Sequence, residues 1–122
     1  MDLEIQIREQ EGVTVVACLG KLILSEETTQ FGNQVRTLLD QKPVIVMDLS
    51  GLSYADSSGI GTLMGLFVAA RARSGEIKFA QPSDRIAKVL KSMQLVGVMG
   101  MYPHVDDAVR SLKTGAAGAG PF

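Results

Sequence analysis

The stretch from Pro43 to Leu49 (PVIVMDL) is apolar at almost every position. A strand with one face in water alternates apolar and polar residues. A nearly continuous apolar run reads instead as a central strand covered on both faces, as strands of a parallel sheet are. Parallel neighbours cannot be joined by a tight hairpin and need crossover connections, usually helices. Such a run therefore demands helix–strand alternation on either side of it.

The flanking sequence supplies that alternation. Leu3, Ile5 and Ile7 alternate with polar residues, the period-two signature of a strand. Glu11-Gly12 is a turn signal, and Val13 to Leu19 follows as a second strand, so the two form an antiparallel hairpin. Ser25 is placed to cap a helix, with Glu26 and Glu27 at its positive end and Phe31, Val35, Leu38 and Leu39 at helical spacing. Lys42-Pro43 ends that helix. Beyond the central strand, Ile60, Leu63, Met64, Phe67 and Val68 mark the buried face of a second helix that Gly75 stops. Glu76 to Ala80 is a fourth strand. Ser83 caps a third helix, whose inner face is Ile86, Val89, Leu90 and Met93. Val98 to Met101 reads as a short fifth strand. Val105, Ala108, Val109 and Leu112 give the last helix, with Asp106 and Asp107 in its first turn. The predicted order is ββαβαβαβα, a single α/β domain over residues 1–113 with a mixed sheet of about five strands and packed helices. Residues 114–122 (TGAAGAGPF) are expected to form a mobile tail.

Composition narrows the function classes. Twelve basic and 13 acidic residues leave a formal charge of -1, which argues against a direct nucleic-acid binder. The single cysteine, Cys18, excludes an intramolecular disulfide and any multi-cysteine metal site, and the single histidine, His104, leaves one imidazole at most. The longest apolar stretch, Ile60 to Ala70, falls well short of the roughly 20 residues a membrane helix needs. The N-terminus Met1-Asp2-Leu3-Glu4 lacks a basic and apolar leader, so the expected location is the cytoplasm.

Sites in open α/β sheets gather where strands end and helices begin. Asp56, Ser57, Ser58 and Gly59 occupy such a junction, where a capping residue is needed in any case. Gly61, Gly65 and Ala69 follow at i, i+4 and i+8. A glycine in a helix interior costs about 0.8–1 kcal/mol against alanine, so this stripe serves either close helix packing or a flat docking surface beside the Ser57 hydroxyl. Tyr54, in the preceding loop, is a candidate partner anchor or a plug for the sheet end.

Three enzyme readings fit poorly. Gly59-Ile60-Gly61 begins a dinucleotide fingerprint, but Gly65 falls one position late. Ala55-Asp56-Ser57-Ser58-Gly59 mimics a nucleophile elbow, and Ser57, Asp84 and His104 stand in triad order, yet no oxyanion segment accompanies them. Asp106 and Asp107 are better explained by the helix dipole than by a metal. Arg71, Arg73, Lys78, Arg85, Lys88 and Lys91 are scattered without interleaved aromatics and read as solvated faces.

The run Met47-Asp48-Leu49-Ser50-Gly51-Leu52-Ser53-Tyr54-Ala55-Asp56-Ser57-Ser58-Gly59-Ile60-Gly61 resembles the hallmark of the STAS domain family, most closely the bacterial anti-sigma factor antagonists. The resemblance spans residues 2–113, including the Leu19-Gly20-Lys21-Leu22 turn and the closing strand and helix. It implies a binding protein rather than an enzyme, with no cofactor. The implied partner is an anti-sigma factor that is itself an ATP-dependent serine kinase, and a PP2C-type phosphatase reverses its action. It implies phosphorylation of the serine after the motif aspartate, Ser57, with Ser58 as second choice. The implied contact surface joins Leu22, Ile23, Leu24 and Ser25 of one loop to Tyr54, to Asp56, Ser57, Ser58 and Gly59 of the junction, and to Gly61, Thr62 and Gly65 of the helix. The family often carries an acidic residue where this chain has Ile23, which suggests a different contact with the partner. A weak homodimer is allowed for. Other readings of the same fold are a subunit of a stress-sensing complex or lipid-transport machine, and a nucleotide-binding module that uses the helix N-terminus for phosphate.

Overall fold

The computed structural model describes residues 2–113; the tail expected over residues 114–122 lies outside the described residues. The hairpin is β1 (Leu3–Gln10) and β2 (Val13–Leu22), followed by α1 (Glu26–Gln41) and β3 (Val44–Asp48). Then come β4 (Leu52–Ala55), α2 (Ser57–Ala72), β5 (Glu76–Ala80), α3 (Asp84–Ser92), α4 (Val96–Met99), β6 (Met101–Tyr102) and α5 (Val105–Lys113).

The strands make one six-stranded mixed sheet in the order β1-β2-β3-β5-β6, with β4 paired to the far end of β2. Only β1 runs antiparallel to its neighbour; the other pairs are parallel. The central-strand reading holds: Ile45 and Met47 are buried on one face of β3 and Val46 on the other. Helices α1, α2 and α3 cover the first face over Val16, Cys18, Phe31, Leu63, Phe79 and Ile86. Helix α5 covers the second, closing Val15, Val46, Ala80 and Tyr102 under Val105 and Val109. The Ser25 cap is realised, its hydroxyl accepting the Thr28 N–H at 3.1 Å.

Three sequence expectations are corrected. The loop after β3 contains a sixth strand, β4, so the order is ββαββαβααβα. Leu52 and Ala55 of β4 are buried while Ser53 and Tyr54 face out, and its pairing with Gly20–Leu22 is a long-range contact no local pattern announces. The predicted strand Val98–Met101 is mostly a single helical turn, α4, because Gly100 ends it with φ 63°, leaving a strand of Met101 and Tyr102 alone. Lys78 is not solvated: it is 1% exposed on the α5 face, 3.0 Å from Glu76 and 5.7 Å from the centre of the Tyr102 ring. A cation at that depth requires a partner carboxylate, which Glu76 provides two residues away on the same strand face.

Candidate docking site

Because β2 and β4 are parallel, both chains emerge at the same edge of the sheet, with Leu22 opposite Ala55. The next residue, Asp56, joins the two exits. Its N–H donates to the Leu22 carbonyl at 3.1 Å. One carboxylate oxygen accepts the Gly59 N–H at 2.8 Å, capping α2, and the other accepts the Leu24 N–H at 3.0 Å, holding the β2–α1 loop. The Gly59 N–H and then the Leu24 N–H keep the Asp56 carboxyl below its ordinary 3.8. Asp56 is thus a structural anchor with both oxygens engaged.

Gly59 completes the anchor. A Cβ there would sit 2.0 Å from the Leu22 carbonyl oxygen, so the first turn of α2 rests directly on the end of β2 and only glycine fits. Ser57 stands between these two fixed residues as the first residue of α2. It is exposed, and its hydroxyl makes no hydrogen bond among the described residues. Ser58 is half-buried, and its carbonyl accepts the Thr62 hydroxyl at 3.2 Å.

The loop residues separate into different roles. Leu22 is fully buried and belongs to the core, which corrects its assignment to the contact surface: its side chain points under α2, not outward. Ile23 is half-buried, and Leu24 is 81% exposed. Ser25 is occupied with capping α1. Tyr54, 42% exposed, faces outward rather than plugging the sheet.

The glycines of α2 divide in the same way. A Cβ on Gly61 would meet nothing within 4 Å, and one on Gly65 would touch only the Arg36 guanidinium at 3.4 Å. Tight helix packing therefore does not explain them. The open stripe runs Ser57, Gly61, Gly65 and then Val68, which is 61% exposed although expected in the core; Ala69, expected in the stripe, packs partly against the core. Thr62 borders the stripe, half-buried. Sequence reasoning missed Arg36. Its guanidinium lies between α1 and α2, 3.1 Å from where a Gly32 Cβ would be, and makes no ion pair or hydrogen bond with the described residues. The signal available was Gly32 one helical turn before it.

The hydrolase arrangement does not assemble. No hydrogen bond links Ser57, Asp84 and His104, and His104 instead offers its carbonyl to the N–H groups of Asp107 and Ala108 in α5. No group of three or more His, Cys, Asp or Glu among the described residues is placed to hold a metal. No helix of the described residues is long and apolar enough to cross a membrane.

A family model for the STAS domain matches residues 4–108. An anti-sigma F factor antagonist of Paenibacillus polymyxa is 26% identical over 119 residues, covering 93% of this chain and 97% of that protein. Among solved structures, the anti-sigma factor antagonist SpoIIAA in its unphosphorylated form has a TM-score of 0.74 at 23% identity, covering 91% of this chain and 97% of its own. The Bacillus cell fate determinant SpoIIAA in its phosphorylated form has a TM-score of 0.68 at 23% identity, covering 89% and 99%.

Proposed function

Because this chain belongs to the STAS domain family, we propose that it is an anti-sigma factor antagonist, a binding protein switched by phosphorylation of Ser57. Unphosphorylated, it docks an anti-sigma factor with serine-kinase activity and so releases the sigma factor; a PP2C-type phosphatase resets it. The carrying observation is the position of Ser57: an exposed, unbonded hydroxyl at the first residue of α2, between two residues fixed to the fold. The docking face is Leu24, Tyr54 and Ser57 with the Gly61–Gly65 stripe, flanked by the half-buried Ile23.

Phosphorylation brings about -1.5 to -2 charge and three acceptor oxygens. At the N-terminus of α2 the free N–H groups and the helix dipole tolerate an anion. The fold therefore survives while a largely uncharged docking face becomes strongly negative. Asp56 is a poor base for the transfer, since the backbone N–H groups on its two oxygens favour the charged carboxylate and lower its affinity for a proton; it holds Ser57 in place and adds its own negative charge beside the phosphate. Phosphopeptide mapping after incubation with the cognate anti-sigma kinase and ATP tests the reading. Label on Ser57, removed by a PP2C-type phosphatase, is expected. Label on Ser58 alone, or on neither serine, overturns it.

A further inference from the structure

Among the described residues, the edge strand β1 has β2 as its sole strand neighbour and its other backbone edge is unpaired. Proteins blunt such edges with proline, a bulge or repelling charge. β1 has no proline, and its register with β2 runs unbroken from Leu3–Gly20 to Gln10–Val13. Its charges do not repel a second copy of the same strand. Glu4 and Arg8 lie on one face, symmetric about Gln6.

We propose that two copies of this chain pair antiparallel along β1, in the register centred on Gln6. A two-fold axis perpendicular to the sheet keeps each side chain on its own face, so the register must centre on a residue. Centred on Gln6, Glu4 opposes the partner's Arg8 and Arg8 opposes the partner's Glu4. On the opposite face Ile5 opposes the partner's Ile7. Ile7 is the one large apolar side chain of β1 left 45% exposed. Beside Ile5 lies a groove of about 350 Å³ between β1 and α1, lined by Leu3, Ile5, Glu27, Gln30, Phe31 and Gln34, which the partner's Ile7 enters. The Gln6 register leaves Leu3 against the partner's Glu9; centring on Ile7 instead would set Ile5 against the partner's Glu9 and leave Glu4 and Arg8 facing the partner's Gln10 and the partner's Gln6, with no charge pair formed. Centring on Ile5 would pair Arg8 with the partner's Asp2, which lies outside the strand, and would leave Glu4 facing the partner's Gln6. The contacts Glu4 and Arg8 make within one chain are loose ones: Arg8 stands 3.9 Å from Asp48, and Glu4 accepts from the exposed Gln6 amide.

Sedimentation equilibrium on the full chain up to about 500 µM, in low salt where charge pairs are least screened, tests this. A reversible monomer–dimer equilibrium is expected. Arg8→Glu sets like charges opposite each other twice, as does Glu4→Arg, and each weakens the dimer by about tenfold or more. Mixing the two variants restores it, because every Arg again faces a Glu. Circular dichroism checks that both fold; should Arg8→Glu not fold beside Asp48, Glu4→Arg carries the test alone. A wild-type chain that stays monomeric throughout the range overturns the proposal. So does a Glu4→Arg chain that dimerises like wild type, or a mixture that associates no better than its components.

Discussion

Replacing Gly61 by alanine should make the protein more stable and its partner complex weaker. The position is the fifth residue of α2, inside the helix, and an added methyl meets no atom within 4 Å. With no clash to offset it, the substitution gains the helix-propensity difference, about 0.8–1 kcal/mol. For a domain of this size that is roughly 4–8 °C in Tm. Gly65→Ala behaves alike, since its methyl would touch only the flexible end of Arg36 at 3.4 Å. Gly59→Ala is the internal control with the opposite sign. Its Cβ would lie 2.0 Å from the Leu22 carbonyl oxygen, so the first turn of α2 must lift off β2. Overpacking of that kind costs about 1–3 kcal/mol or more. Thermal melts of the three variants, with titration against the anti-sigma partner for the two stable ones, check the argument. If Gly61→Ala lowers Tm, the stripe has a structural role that the open space around it does not show. If it raises Tm and leaves affinity unchanged, the stripe is not a docking surface.

Three further outcomes follow from the same geometry. Ser57→Asp is expected to abolish partner binding while Tm moves by less than the roughly 4–8 °C that about 1 kcal/mol represents; a larger drop would make Ser57 a structural residue. Asp56→Asn keeps a helix cap but loses one of the two acceptors that bind Gly59 and Leu24. The Asp56 carboxyl is depressed in the folded state, so its contribution is complete above about pH 4, the ordinary carboxylate value, and is lost as pH falls through the lower folded value. The stability gap between wild type and Asp56→Asn should therefore close on acidification; a gap that is constant from neutral pH to pH 2 refutes the assignment. Burial, with the Asp48 charge adding to it, pushes the Cys18 thiol up to about 12. Iodoacetamide at about pH 8 should leave the folded protein unmodified and alkylate it once denatured; rapid labelling of the native chain would contradict the buried position.

What could be read from the sequence depended on whether a residue's environment was local. The β3 run announced its burial because Ile45, Val46, Met47 and Asp48 are buried on its two faces, so the apolar pattern is broken only at Asp48. The Asp56–Gly59 junction was visible because capping is a four-residue affair. β4 was not visible, since half of its residues face water and its partner lies some thirty positions upstream, at Gly20–Leu22. Lys78 was misplaced because the carboxylate that makes its burial tolerable is recognised only once both side chains are seen on the α5 face. In α2 apolar residues surround the helix, so period alone does not choose the inward face. Helical spacing put Val68 with the buried face and Ala69 with the small-residue stripe, the reverse of their positions.

The four residues Asp56 to Gly59 separate two demands that usually conflict at a modification site. A kinase needs a serine accessible and free, whereas a stable domain needs the start of a helix capped and packed. Here Asp56 satisfies the cap and ties down the neighbouring loop, and Gly59 lets the helix touch the end of β2. Nothing is left for the Ser57 side chain to do in the fold, since it makes no hydrogen bond among the described residues and faces outward. A serine cap at position 56 would have removed that separation, because the modified hydroxyl would then be the same group that starts the helix. With the aspartate doing the capping, a full phosphate charge can be added one residue later, where the helix N-terminus tolerates it. On the function proposed above, phosphorylation of Ser57 would therefore change the charge of the docking face without changing the scaffold that presents it.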